Sequence, residues 1–426
     1  MRRIYSLLIA LVLPFALALV AWRGLRVRGY WSGGWARLGA GRTLPQPGTL
    51  WVHAVSVGEV QAAAPLVSLL QARHPGRALL LTTATPAGKE RARQLFGGQV
   101  EIRYAPYDLG CLVRRALRRI RPALCVVMES ELWPNLYHEC ARAQVPLLLA
   151  SARLSERSAR RLGRFPGLLR AALASHVSVA AQSSADAQRF AALGVPQQRI
   201  LISGNIKFDR ELPAHWQARG AQLRADYAGT RPVWVAGSTH PGEETLLLQA
   251  QRALQAGGLD PLLVIAPRHS KRFTEVATLL ESGGWRYVRR SVGTTRADAE
   301  VLLLDTLGEL MDFYAAADVA FVGGSLVPVG GHNLLEPAQL GLPVLAGPHQ
   351  HNGPDSARWL REAGALVVVE DAAQVAAAVG GWLRDAPSRS RVGLAGSAAV
   401  AAHRGAALQI AGLVERLIER PASPAY

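Results

Sequence analysis

The feature that most constrains this chain is an alternation that runs along it twice. Short apolar runs at Thr49–Val55, Ala78–Thr82, Leu124–Met128, Pro146–Ala150 and Val177–Ala181 are separated by stretches of helical spacing, such as Val60, Ala63, Ala64, Val67 and Leu70. Strand and helix in strict succession predict a parallel, doubly wound α/β sheet. A polar, turn-rich stretch at 206–231 then interrupts the pattern. It restarts at Val233–Ala236, Leu262–Ala266, Val301–Leu304, Val319–Val322, Pro343–Leu345 and Leu366–Val369. At 426 residues, half of them hydrophobic, the chain exceeds what one core usually serves. The expected organisation is therefore a first Rossmann-like domain at 23–205, a linker at 206–231, and a second such domain at 232–426 that includes the C-terminal helices. Two open α/β sheets bind ligands outside the carboxyl ends of their strands, here expected to face a shared cleft, so residues at strand ends are the candidates for function.

Residues 1–22 form a separate segment. Ile4 to Trp22 is an uncharged, mostly apolar run of about bilayer-spanning length, with Pro14 inside it. Ala16-Leu17-Ala18 resembles a processing site, but Arg23, Arg26, Arg28, Arg37 and Arg42 follow at once, and arginines so placed stay on the cytoplasmic side. The expectation is a single N-terminal anchor in the cell membrane with the body on its cytoplasmic face. A formal charge of +17 calls for a polyanionic partner. Without an RNP signature, a Cys/His finger or a basic stripe interleaved with aromatics, nucleic acid is the weakest of these, leaving anionic lipid and phosphorylated substrates. The arginine-laden segment Ser155–Ala174 suits a membrane surface, and equally the solvated face of a core helix. Cys111, Cys125 and Cys140 make neither a disulfide framework nor a zinc site.

The strand ends differ between the halves. In the first, Ser56-Val57-Gly58-Glu59 turns from strand into helix. Glu59 either closes a capping box with Ser56 or acts as a general base toward an acceptor hydroxyl. Glu129 and Glu131 follow the buried run ending at Met128; two carboxylates so placed raise each other's pKa or bind hydroxyl or cationic groups, unless they lie in a solvent-facing loop. In the second half, Pro267-Arg268 offers a guanidinium that can grip a phosphate, although a surface ion pair is the commoner fate. Lys207 is placed to reach an anionic group. Gly323-Gly324-Ser325, followed by Gly330-Gly331 and Asn333-Leu334-Leu335-Glu336, reads as a glycine loop that brings backbone N–H groups close to an anion. Asn333 serves there as N-cap, and Glu336 either faces a ribose or closes the capping box. There is no GxxxxGK[ST] loop, no GxGxxG after the first strand, no GxSxG and no HExxH, and the lack of a clear DxD pair disfavours a metal-dependent sugar-nucleotide enzyme.

Taken together and in order, Ser56–Glu59, Glu129-Ser130-Glu131-Leu132-Trp133-Pro134-Asn135, Gly204-Asn205-Ile206-Lys207-Phe208-Asp209, Pro267-Arg268-His269, Asp305–Leu310 and Gly323–Ser325 through Asn333–Pro337 resemble the 3-deoxy-D-manno-octulosonic acid (Kdo) transferases of lipopolysaccharide assembly. The resemblance spans nearly the whole chain. It implies a GT-B glycosyltransferase with the acceptor, a lipid A precursor (lipid IVA), in the N-terminal domain and the donor CMP-Kdo in the C-terminal one. It further implies Glu59 as catalytic base and CMP contacts at Pro267, Arg268, Leu307, Gly308, Glu309 and Asn333 through Glu336, with no cofactor or metal. Glu129, Glu131, Lys207, Gly323, Gly324 and Ser325 are supporting candidates. The alternatives are a GT-B enzyme using a UDP-sugar and a non-catalytic lipid A-binding scaffold.

Overall fold

The computed structural model describes residues 1–26, 33–129, 131–164, 166–209, 215–293 and 298–419. It divides into two compact units, Met1–Arg210 with His403–Tyr426, and Glu211–Ala402.

The first unit is built on seven parallel strands: β1 (Thr49–His53), β2 (Leu79–Thr83), β3 (Glu101–Tyr104), β4 (Pro122–Met128), β5 (Leu147–Ala152), β6 (Val177–Ala181) and β7 (Ile200–Ile202). Their order is β3-β2-β1-β4-β5-β6-β7, so the winding reverses between β1 and β4. Because side chains alternate across a strand, β1 sends Leu50 and Val52 to one face and Trp51 to the other. The first face is covered by Val60, Leu66, Val67 and Leu70 of helix Val57–Arg73, the second by Val113, Leu117 and Leu136. The central strands are buried on both faces and read as continuous apolar runs. The two strands that the apolar pattern does not show, β3 and β7, lie at the edges, where Glu101 and Ile202 are exposed and no such run is required.

The second unit repeats the plan with β8 (Val233–Thr239), β9 (Leu262–Pro267), β10 (Tyr287–Arg289), β11 (Val301–Leu303), β12 (Val319–Val322), β13 (Val344–Ala346) and β14 (Leu366–Val368), in the order β10-β11-β9-β8-β12-β13-β14. The reversal falls between β8 and β12. Again the unanticipated strand, β10, is a three-residue edge. Both units are thus doubly wound parallel sheets.

The segment boundaries differ from those expected. The last helix, Ala406–Glu419, belongs to the first unit: its stripe of Ala407, Ile410, Ala411, Val414 and Leu417 joins the core over β1 and β4. The carboxylate of Asp209 accepts the Gly405 N–H at 2.6 Å and also that of Ala407, while Arg404 Nε donates to the Phe208 carbonyl at 3.0 Å. An apolar stripe in a C-terminal helix carries no label saying which sheet it covers, so chain order misassigned it. The stretch 206–231 is likewise mostly structure. Ile206–Asp209 is a 3-10 turn with Ile206 and Phe208 buried in the first unit. Helix His215–Tyr227 packs on helix Leu310–Ala316 of the second, so closely that a Cβ on Gly220 would stand 2.6 Å from the Ala315 carbonyl carbon. Residues 210–214 of that stretch, like Arg28 and Ser130, lie outside the described residues.

The first helix, Arg2–Arg26, contains a stretch, Arg2–Trp22, that includes an 18-residue window of mean hydropathy 2.6 and is long and apolar enough to cross a membrane.

Candidate functional site

In the first unit the chemistry gathers where the winding reverses. Glu59 stands at the start of the helix that follows β1, and Glu129 at the end of β4. The capping role expected of Glu59 is present. Its Oε2 accepts the Ser56 N–H at 2.7 Å and its own N–H donates to Ser56 Oγ at 3.3 Å, a complete capping box. The residue is only 7% exposed, and burial pushes its carboxyl up to about 7. The Ser56 N–H works against that rise, and the negative charges of Glu131 and Glu129 add to it. A carboxylate that titrates near neutrality exchanges protons readily there.

Glu129 adopts φ 54°, a left-handed conformation that is uncommon outside glycine, while its N–H still donates to the Ala150 carbonyl at 2.9 Å. Such local strain at a strand end persists only where surrounding structure holds it. Lys207 Nζ stands 2.7 Å from Glu129 Oε1, so the lysine expected to reach an anionic ligand is engaged with this carboxylate. Glu131 accepts from Trp133 Nε1 at 2.6 Å, and its carbonyl accepts from the Tyr137 hydroxyl at 2.6 Å. The carboxylates are therefore held in an ordered turn.

Several supporting groups carry no local sequence signal. Asp108 caps helix Pro134–Arg142 by accepting the N–H groups of Asn135 at 3.1 Å and Leu136 at 2.7 Å. His53, fully buried on β1, lies edge-on to Trp133 with ring centroids 4.5 Å apart, and burial holds its pKa down to about 3. Thr82 Oγ1 accepts from Trp51 Nε1 at 2.8 Å and lies 2.9 Å from His53 Nδ1. If the Thr82 proton goes to Nδ1, the neutral ring carries its own proton on Nε2, which has no hydrogen-bond partner among the described residues. Arg37, grouped by sequence with the basic juncture, is instead buried with its guanidinium 3.8 Å from the Tyr104 ring centre. These contacts join residues tens of positions apart, which no local pattern encodes.

In the second unit the glycine loop follows β12 at the corresponding reversal, but its amides are already engaged. Glu243, fully buried, accepts N–H groups from His240 at 2.9 Å, Gly324 at 2.7 Å, Ser325 at 2.9 Å and Leu326 at 3.0 Å. A protein carboxylate thus fills the place where the sequence suggested an anionic ligand. Ser325 Oγ is committed too, donating to the Val322 carbonyl at 2.6 Å and accepting the Gly347 N–H at 2.8 Å. Gly323 is required by packing, since a Cβ there would meet the Ser238 carbonyl oxygen at 2.5 Å. Gly323, Gly324 and Ser325 therefore build the loop that carries His332 and Asn333.

Around that loop lies a cationic and imidazole surface. His240 Nε2 and His332 Nε2 are 2.8 Å apart in stacked rings, with His269 edge-on to His240 at 5.6 Å. Burial, then the neighbouring His240, Arg268 and His269, lowers His332 to about 4, and burial lowers His240 as well, which favours the uncharged rings. Pro267 is buried at the end of β9, and Arg268, next to it, projects into solvent with no hydrogen bond or ion pair from its guanidinium among the described residues. Glu309 is held by Arg290 at 2.7 Å and by the Thr306 hydroxyl; burial opposes ionisation, but these partners keep its carboxyl below the usual range. Leu307, 77% exposed, and Gly308, at φ 90°, sit at the tip of the turn so fixed. Asn333 is exposed and its Oδ1 accepts the Leu335 N–H at 3.2 Å. The following helix, Leu335–Gln339, has only five residues, and its N-cap residue is Leu334, without a side-chain cap, and not Asn333 as expected. A helix this short contributes little dipole. Leu334 is buried, and Leu335 and Glu336 are half-buried.

Residues 33–210 match the family model described as 3-deoxy-D-manno-octulosonic-acid transferase (kdotransferase). The chain is 40% identical over 378 residues to the 3-deoxy-D-manno-octulosonic acid transferase of Haemophilus influenzae, covering 88% of each chain. It is 39% identical over 424 residues to that of Bordetella pertussis, covering 95% of this chain and 96% of the other. Among solved structures, the UDP-GlcNAc 2-epimerase of Neisseria meningitidis superposes with a TM-score of 0.62 at 13% identity, over 86% of this chain and 99% of the other. A putative UDP-N-acetylglucosamine 2-epimerase of Listeria monocytogenes gives 0.61 at 15%, over 89% and 100%. At such identities these two show a common fold alone.

Proposed function

The chain belongs to the Kdo transferase family and is a glycosyltransferase, and from that premise we propose that it moves Kdo from CMP-Kdo to a hydroxyl of a lipid A precursor such as lipid IVA, with Glu59 as the general base. The observation that carries the proposal is the state of Glu59: nearly buried, and raised to about 7 by burial and by two flanking carboxylates. In its ionised form Glu59 takes the acceptor hydroxyl proton. The oxygen attacks the anomeric carbon of Kdo on the face opposite the leaving group, the bond to the CMP phosphate breaks, and configuration inverts. Glu129 and Glu131 hold acceptor hydroxyls as well as raising Glu59, and Lys207 limits the negative charge through Glu129.

Charge builds on the departing phosphate as the glycosidic carbon becomes oxocarbenium-like. In the second unit Arg268 supplies the counter-charge, and the His240–His332 pair offers an N–H donor. The proposed CMP contacts are Pro267 and Arg268, the turn Leu307-Gly308-Glu309, in which Glu309 acts by fixing the turn through Arg290, and Asn333 through Glu336. The proposal includes work at the cytoplasmic face of the membrane, supported by the apolar first helix and the formal charge of +17, and it expects transfer to persist in excess EDTA.

The test is Glu59→Gln, which keeps an oxygen for the capping box but cannot take the proton. With CMP-Kdo and tetraacylated lipid A precursor, product mass measured over time should fall ~10²–10⁴-fold relative to wild type while CMP affinity stays unchanged. Equal loss of CMP affinity, or retained transfer, overturns the assignment.

A further inference from the structure

The first helix has two faces with different surroundings. Tyr5, Ser6, Ile9, Leu13 and Val20 are half-buried, and Gly24 is buried. On the other side Ile4, Leu8, Leu11, Phe15, Leu19 and Trp22 recur every three or four residues and are 45–77% exposed. The start of the helix is tied to the first unit. At the start, the Tyr5 hydroxyl donates to Asp108 at 2.9 Å, Ser6 Oγ to Asn135 Oδ1 at 3.1 Å and Arg2 Nη1 to the same oxygen at 3.4 Å. Gly167 leaves room for Met1, whose Cγ lies 3.4 Å from where a Cβ on that glycine would stand. At the far end the chain re-enters the unit through Gly33 and helix Gly34–Leu38.

These contacts are incompatible with a helix standing across a bilayer. Twenty-five residues at ~1.5 Å each extend ~37 Å, which exceeds the ~30 Å hydrocarbon thickness. Were the helix to span, Arg2, Tyr5 and Ser6 would be carried to the opposite side from Asp108 and Asn135, and all three hydrogen bonds would be lost. We propose that the first helix is an in-plane membrane element: it stays docked along the first unit, and its Ile4–Trp22 face sits at the boundary between headgroups and acyl chains of an anionic lipid surface. The charge around its start fits such a surface. The helix Glu156–Gly163, close in sequence to Gly167, has no buried residue and exposes Arg157, Arg160 and Arg161, with Arg164 directly after it. Asp108 also caps the helix that begins beside Trp133, so the membrane element is tied to the turn that carries Glu131.

This inference deepens the membrane location proposed above, and its test separates the two. Single cysteines replace Leu8, Leu11, Phe15 and Leu19 in the full chain carrying Cys111→Ser, the other two cysteines being buried. Each is spin-labelled, and its depth is read by power saturation with oxygen against a water-soluble nickel chelate in vesicles containing anionic phospholipid. In-plane placement gives four lipid-exposed labels at one shallow depth, agreeing within ~5 Å. A spanning helix gives depths that change by up to ~16 Å between positions 8 and 19, crossing the midplane region, and overturns the inference while leaving the membrane location intact. Labels shielded from both oxygen and nickel on vesicle-bound protein show that a protein surface, such as a second copy, covers the face, and overturn it equally. Protein that does not float with the vesicles overturns both the inference and the membrane location.

Discussion

Glu59 and Glu243 occupy equivalent places in the two units and do opposite things. Each opens the helix that follows the strand beside the reversal, β1 in one case and β8 in the other, and each accepts the N–H of the residue three positions before it. Glu59 receives that one backbone N–H and faces two further carboxylates, so burial raises it to about 7. Glu243 receives four backbone N–H groups, three of them from the glycine loop. The number of backbone donors separates the two carboxylates. With one donor and negative neighbours, a buried carboxylate is poised to exchange a proton; with four, it organises the backbone around it.

Breaking the strut should have the largest effect. Glu243→Ala leaves four N–H groups without an acceptor, two in buried and two in part-buried hydrogen bonds. At ~1–3 kcal/mol each, the loss is of order 4 kcal/mol or more, read as a large drop in the denaturation midpoint together with loss of CMP binding. A mild effect on both would show that the loop stands without its carboxylate.

Glu59, the proposed base, should respond in the opposite sense in stability. Its folded-state value of about 7 lies above its ordinary 4.5, so the folded chain binds this proton more tightly than the unfolded one. Stability from this group is fully present below about 4.5 and lost as pH rises through about 7. Glu59→Gln should therefore be more stable than wild type at pH 8, by about 1–3 kcal/mol, with the difference closing at pH 4. Urea unfolding at the two pH values measures this, and a variant less stable at pH 8 would mean that the cap outweighs the buried charge.

Smaller changes sharpen the comparison. Glu131→Gln removes a charge that raises Glu59 and should move the acidic limb of the kcat/KM profile to lower pH; an unmoved limb would dissociate Glu131 from the base. Ser56→Ala removes a side-chain hydrogen bond that lowers Glu59, so the limb should shift the other way, with a stability loss of about 1 kcal/mol from the missing cap.

Much of this was legible in the residues. The alternation of apolar runs and helical stripes indicated two doubly wound sheets, because central strands buried on both faces must be apolar throughout. Edge strands such as β3, with Glu101 and Arg103, escape that requirement and were not visible. Ser56 and Glu59 were legible as a pair because a capping box is a local event three residues long. Glu243 was not, although His240 and Glu243 have the same spacing, because three of its four donors lie about eighty positions later.

The sequence by itself therefore determined the fold class, the family, the strand ends where chemistry gathers, and the apolar character of the first helix, since each rests on local periodicity or an ordered set of short motifs. Only the tertiary structure decided which carboxylate is poised and which is structural, that Lys207 is engaged by Glu129, that Ala406–Glu419 covers the first sheet, and that Tyr5 and Ser6 are tied to Asp108 and Asn135. Those outcomes depend on burial and on donors supplied from distant parts of the chain, and a carboxylate's chemistry is set by the groups that surround it in space.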